Sequence, residues 1–154
     1  MINIRLYPNF KDKLFVIDGA NVCWHDKNKK KRPQINNLKL LIDELKITGV
    51  EKQNLTIFCD ASLRHTIDNQ REYFRLLREK IIWETPAGVK ADEFILKFCI
   101  KHENALIISN DLFKRYLRQL PSRNWLKKKR IGYIIIRNEI LLIPMLNNVM
   151  EVKI

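Results

Sequence analysis

FVIDGANV, residues 15–22, is an apolar, β-branched run that stops on an acid and passes at once into a glycine and an asparagine. An apolar run of this length, closed by Asp-Gly, reads as a buried strand ending at Asp18. The carboxylate there either closes a turn or forms one wall of a metal site. Which of these holds depends on whether other acids arrive at the same place in the fold. LTIFCD (55–60) repeats the pattern and ends on Asp60, and ALIIS (105–109) repeats it again before Asn110 and Asp111.

The segments between these runs have a helical period. In residues 36–48, Leu38, Leu41, Ile42 and Leu45 share one face, and Gly49 closes the helix. A second helix is expected over 66–79, followed by a short strand, IIWE (81–84), and a loop, TPAGVK (85–90). ADEFILKFCIKHE (91–103) places Ala91, Phe94, Ile95, Phe98 and Cys99 on one apolar face. LFKRYLRQL, after Asp111, is expected to start another helix. RIGYIII (130–136) and EILLIP (139–144) flank Arg137 and Asn138 as closing strands in a hairpin. Strands alternating with helices imply an α/β domain of three layers, α/β/α, around a mostly parallel central sheet.

Composition narrows the class of protein. The chain has 154 residues and a net charge of +12, from 29 Lys and Arg against 17 Asp and Glu. That length fits one domain, residues 1–154, and that charge points to an anionic partner, nucleic acid first. Cys23, Cys59 and Cys99 stand far apart in no zinc-binding or disulfide spacing, so a reducing compartment is expected. The N-terminus, with Arg5, Lys11, Asp12 and Lys13, lacks a signal-peptide pattern, and Arg137 and Glu139 interrupt the longest apolar region. The expectation is a soluble, cytoplasmic protein that spans no membrane.

In a mostly parallel sheet the carboxyl ends of the strands share one edge, where ligands bind. Asp18, Asp60 and Asp111 are therefore expected at that edge, and Asp92 and Glu93, at the start of the 91–103 helix, can approach it. Acids gathered in a crevice repel one another, and a hard divalent cation with oxygen ligands, Mg²⁺ or Mn²⁺, offsets that repulsion. Taken singly, each acid has an ordinary alternative as a turn residue, a helix cap or a partner of a helix dipole. Asn21 either forms a turn or orients Asp18, and Gly19 lets the backbone approach a ligand.

Basic residues follow the acids. KNKKKR (27–32) supplies Lys29, Lys30, Lys31 and Arg32 after Asp18; Arg64 follows Asp60; Lys114, Arg115 and Arg118 follow Asp111. Together they are candidates for contacts to nucleic-acid phosphates. LKKKR (126–130) joins them or stands as a solvated surface run. Trp24 is either a base-stacking ring or a packed one. His25, His65 and His102 are isolated, and no base-reading element is recognisable.

VIDGANV, FCDASLRH, PAGVKADEFILKFC and LIISNDLFKRY together resemble the NYN branch of the PIN-like nucleases, specifically the Regnase-type ribonuclease domain and its small prokaryotic relatives. The resemblance covers about residues 13–145, with the four motifs in the family's order. It implies a metal-dependent endoribonuclease that uses water as nucleophile on single-stranded or loop RNA. By motif, Asp18, Asp92 and Asp111 are the implied metal ligands and catalytic acids, Asn21 supports Asp18, and Asp60 and Glu93 are less certain ligands. The resemblance also implies self-association as a homodimer.

Two positions depart from the family pattern. Ala91 stands where some members have a second acid beside Asp92. Arg115 stands where relatives often have an acid, which removes one outer metal-associated group. The departures leave an RNA-binding module of weak or no activity as the alternative. A phosphatase using Asp18 as covalent nucleophile ranks lower, because Ala20 occupies the place of its second acid.

Overall fold

The computed structural model describes residues 10, 12–25 and 31–143. Six strands are found: β1 (Leu14–Asp18), β2 (Leu55–Cys59), β3 (Ile82–Glu84), β4 (Ala105–Ile108), β5 (Arg130–Ile136) and β6 (Glu139–Ile143). The helices are α1 (Gly19–Cys23), α2 (Ile35–Ile47), α3 (Leu63–Thr66), α4 (Gln70–Arg78), α5 (Ala91–Lys101) and α6 (Trp125–Lys129), with 3₁₀ turns at Lys52–Asn54 and Lys114–Gln119. The strands form one sheet in the order β3-β2-β1-β4-β5-β6, parallel except for β6, which runs antiparallel to β5.

Alternation along the central strands creates the two outer layers. Phe15 and Ile17 of β1, with Leu106 and Ile108 of β4, face a core filled by Leu38, Leu41 and Leu45 of α2. Val16, Ala105 and Ile107 point the other way, onto Ala91, Ile95 and Cys99 of α5. A strand buried on both faces has to be apolar at nearly every position, which is why β1 and β4 read as continuous apolar runs. The α/β architecture with a mostly parallel sheet is therefore as expected from the alternating pattern. Among the described residues no helix is long and apolar enough to cross a membrane.

The expected helix over 66–79 is instead two pieces. Asp68 accepts a hydrogen bond from Ile35 N at Oδ1 (2.9 Å), and its own N–H donates to Pro33 O (3.1 Å). These tertiary bonds draw the chain out of helix, with Ile67 extended and buried. Asn69 then caps α4 by accepting from Glu72 N (3.1 Å). The LFKRYLRQL segment forms only a 3₁₀ turn, because Phe113 before it sits in the left-handed region (φ 47°, ψ 37°). At the β5–β6 connection Arg137 and Asn138 both have positive φ (51° and 63°), the mark of a two-residue type I′ hairpin.

Gly19 is required by packing. It is buried at the start of α1, and a Cβ there would collide with Cys59 Sγ and stand 2.9 Å from Ile57 Cγ2 and 3.1 Å from Phe58 O. Gly19→Ala should therefore destabilise the fold by about 1–3 kcal/mol through overpacking, measured by urea denaturation.

Candidate active site

β1 is flanked by β2 on one side and β4 on the other, so the chain order reverses beside it. This is the position at which an open parallel sheet leaves a crevice beyond its carboxyl ends. Asp18 is the last residue of β1, Asp111 lies shortly after β4, and Asp92 is in the first turn of α5. Each contributes a carboxylate oxygen to a group whose atoms all lie within 4.8 Å of one another. The crevice they line has a volume of about 360 Å³, and Ala20, Asn21, Trp24, His25, Asn110 and Tyr133 complete its walls with Asp60.

Hydrogen bonds fix two of these acids. Asp18 accepts from Asn21 N at Oδ1 (3.3 Å) and from Ser109 Oγ at Oδ2 (3.0 Å). Ser109 Oγ also accepts from Asp111 N (3.0 Å), and Asp111 Oδ1 accepts from Phe113 N (2.8 Å). One hydroxyl thus couples the first acid to the backbone of the third. The Asn21 side chain does not reach Asp18. Its Oδ1 accepts from Asn110 N (3.0 Å) and from the Tyr133 hydroxyl (2.7 Å), tying α1 to the end of β4 and to β5. Asn110 in turn exchanges two bonds of 2.9 Å with the Tyr133 backbone, and Arg130 Nη1 donates to Ser109 O (2.9 Å).

The electrostatic consequence is large at Asp18, which is only 4% exposed. Burial, followed by the charges of Asp92 and Asp111, pushes its carboxyl up from an ordinary 3.8 to about 7, against the pull of Ser109 and Asn21. Asp92 is also raised, by burial and then by Asp111 and Asp60, while Lys90 and Arg115 oppose the rise. Three carboxylates converging in this way are a donor set suited to a hard divalent cation, which takes oxygen ligands and offsets like-charge repulsion.

Asp60 and Glu93 lie outside that group of three. Asp60 lines the crevice, but its Oδ1 accepts the Ala91 N–H (2.6 Å), capping α5 from the end of β2. This cap orients the turn that carries Asp92. Glu93 faces a different groove, lined by Leu96, Ile100 and Leu120.

Among the basic candidates, Arg64 is committed to Glu84 through Nε (3.1 Å) and Nη2 (2.6 Å), and Tyr73 OH donates to the same carboxylate (2.9 Å). Lys114 and Arg115 line a cleft of about 490 Å³ that shares Asp92, Asn110 and Asp111 with the crevice and adds Lys90 and Tyr116. Arg118 is exposed on the 3₁₀ turn, and Lys31 and Arg32 are exposed before α2. Lys29 and Lys30 lie outside the described residues. Trp24, 36% exposed, lines the crevice, as does His25, whose ring stands 5.4 Å from that of Tyr133.

Tyr133 and Lys90 are not marked as site residues by any of the sequence motifs. Ser109 directly precedes Asn110 and Asp111, so its place was readable, but Tyr133 reaches Asn21 only through the sheet order.

Residues 11–148 match the family described as Zc3h12a-like Ribonuclease NYN domain. Comparison with curated protein sequences gives no match. Two solved structures of nuclear protein-only RNase P 2 (PRORP2) from Arabidopsis thaliana share the fold, with TM-scores of 0.68 and 0.67 at 18% and 17% identity. Each similarity covers 87% of this chain but 30% of the other, so this chain spans under a third of those proteins.

Two expectations follow from the geometry. A raised carboxyl contributes stability that is complete below the unfolded value and lost as pH rises through about 7. Asp18→Asn, which imitates the neutral form, should therefore be more stable than wild type in EDTA by about 1–3 kcal/mol near pH ~8, with the gain fading toward pH ~4. Denaturation midpoints across that range measure it. For the α5 cap, Asp60→Ala should cost about 1 kcal/mol of stability, whereas Asp60→Asn keeps the acceptor for Ala91 N and should cost only a few tenths of that. Equal losses in the two variants would remove the capping role.

Proposed function

The chain belongs to the Zc3h12a-like ribonuclease NYN family, and from that premise we propose that it is an endoribonuclease acting on single-stranded or loop RNA with Mg²⁺ or Mn²⁺. The observation that carries this reading is the convergence of Asp18, Asp92 and Asp111 within 4.8 Å at the sheet edge. Those three residues would hold the cation, which supplies an activated water and neutralises charge on the scissile phosphate. No protein nucleophile is required. Ser109 and the Asn21 N–H hold the Asp18 carboxylate in place (3.0 and 3.3 Å), while the α5 cap sets Asp92.

The chain's own cations take the rest of the substrate. Lys90, Lys114 and Arg115 border the acids and hold phosphates on one side of the cut. Trp24 offers a ring on the crevice wall for an unpaired base. Lys31, Arg32 and Arg118, with Lys29 and Lys30, extend the attraction for RNA, consistent with the net charge of +12. Arg64, paired to Glu84, contributes to loop structure in this reading rather than to RNA contact.

One observation favours the RNA-binding alternative. Arg115 stands close enough to Asp92 to oppose the rise of its carboxyl, and so adds positive charge beside the cation position. The test is cleavage of an end-labelled single-stranded RNA with Mn²⁺, with Mg²⁺ and with EDTA. Wild type should make internal, metal-dependent cuts, and Asp111→Asn should lose at least roughly 100-fold in rate. Binding without any cut under all three conditions would transfer the conclusion to the binding module.

A further inference from the structure

A third depression, of about 490 Å³, adjoins the carboxylate crevice at Asp60 and the cationic cleft at Lys90. Between those two residues it is walled by Ala61, Ser62 and His65 on the β2 side and by the 87–89 turn on the β3 side. Its interior is mainly apolar, with polar atoms supplied by Ser62, His65, Asp60 and Lys90. Neither the triad nor the phosphate contacts proposed above account for it.

Both walls are built before any ligand arrives. The Thr85 hydroxyl, buried, donates to Val89 O (2.7 Å), and Val89 N donates to Pro86 O (3.0 Å), which closes a tight turn. Gly88 occupies the third position of that turn with φ +81°, where a side chain is strained. No atom lies within 4 Å of where its Cβ would be. Thr85 N is anchored on Cys59 O (2.9 Å), Leu63 N on Asp60 O (3.0 Å), and Asp60 on Ala91 N (2.6 Å).

Mainly apolar walls with the polar groups of Ser62 and His65 at the boundary, set between the acids and Lys90, suit a group with apolar faces and a polar edge that is attached to a phosphate. We propose that the depression binds one unpaired nucleobase of the RNA next to the bond that is cut, so that binding and cleavage depend on the base at that position. The proposal rests on the ribonuclease reading for its choice of RNA. Its apolar walls supply the sequence-tolerant contact, and the polar groups of Ser62 and His65 at its boundary supply the discrimination.

The test is binding rather than cleavage, so that it stands apart from catalysis. Fluorescent oligo(A), oligo(C) and oligo(U) are titrated in EDTA with wild type, with Ala87→Trp, which fills the depression from an exposed position, and with Ser62→Ala. Wild type should separate the three oligonucleotides. Ala87→Trp should weaken the preferred one by roughly tenfold and bring all three within about twofold, with the salt dependence unchanged. Ser62→Ala should shift the order of preference at unchanged melting temperature. Equal binding of the three by wild type, or unaltered discrimination in both variants, would overturn the base pocket. A wild type that discriminates bases but cuts nothing would keep the pocket and remove the ribonuclease.

Discussion

The structure depends on the burial of one carboxylate. Asp18 ends a strand that is apolar on both faces, and it is almost enclosed there. A buried acid needs hydrogen-bond donors, and this one takes them from both sides of the sheet's switch point: the α1 backbone and the β4 terminus. Those two donors orient it but do not offset the cost of its charge, because it is buried and, beyond that, Asp92 and Asp111 face it. The protein therefore carries an electrostatic tension that a bound cation would relieve. Such tension is characteristic of functional sites, where stability is given up for a poised geometry.

The supporting residues follow from that constraint. Ser109 serves two acids because a single hydroxyl both donates to Asp18 and accepts from Asp111 N. Tyr133 and Asn110 lock the β4 end against β5, and Asn21 joins that lock to α1. The groups that position the site thus come from three separate stretches of sequence. Asp60 acts at one further remove, through the helix that presents Asp92.

Strands β1 and β4 were legible because burial on both faces forces apolar runs, β2 because its buried Leu55, Ile57 and Cys59 alternate with half-buried positions, and the terminal acids break those runs visibly. α2 was legible because its one-sided burial leaves a period. What the sequence concealed were features decided by contacts distant along the chain. Asp68 leaves helix for bonds to residues 33–35, Phe113 adopts a left-handed conformation that ends the helical pattern, and Gly19 answers to Cys59 across the core. The same limit applied to the site. Asp18, Asp92 and Asp111 were readable as candidates from their positions relative to strands, whereas the separation of Asp60 and Glu93 from them depended on which atom each carboxylate faces.

The arrangement also explains how an acidic crevice can serve a strongly basic protein. The carboxylates occupy a small volume at the strand ends, where helices and neighbouring strands fix them, while Lys90, Lys114 and Arg115 line the cleft that adjoins them. On the ribonuclease reading, phosphates would be drawn by the basic residues but would meet concentrated negative charge at one point, where a bound cation would turn repulsion into attraction. Attraction by the rim is indifferent to sequence. On the proposed reading, a preference among RNAs would be read in the depression between Asp60 and Lys90, which adjoins both charge systems.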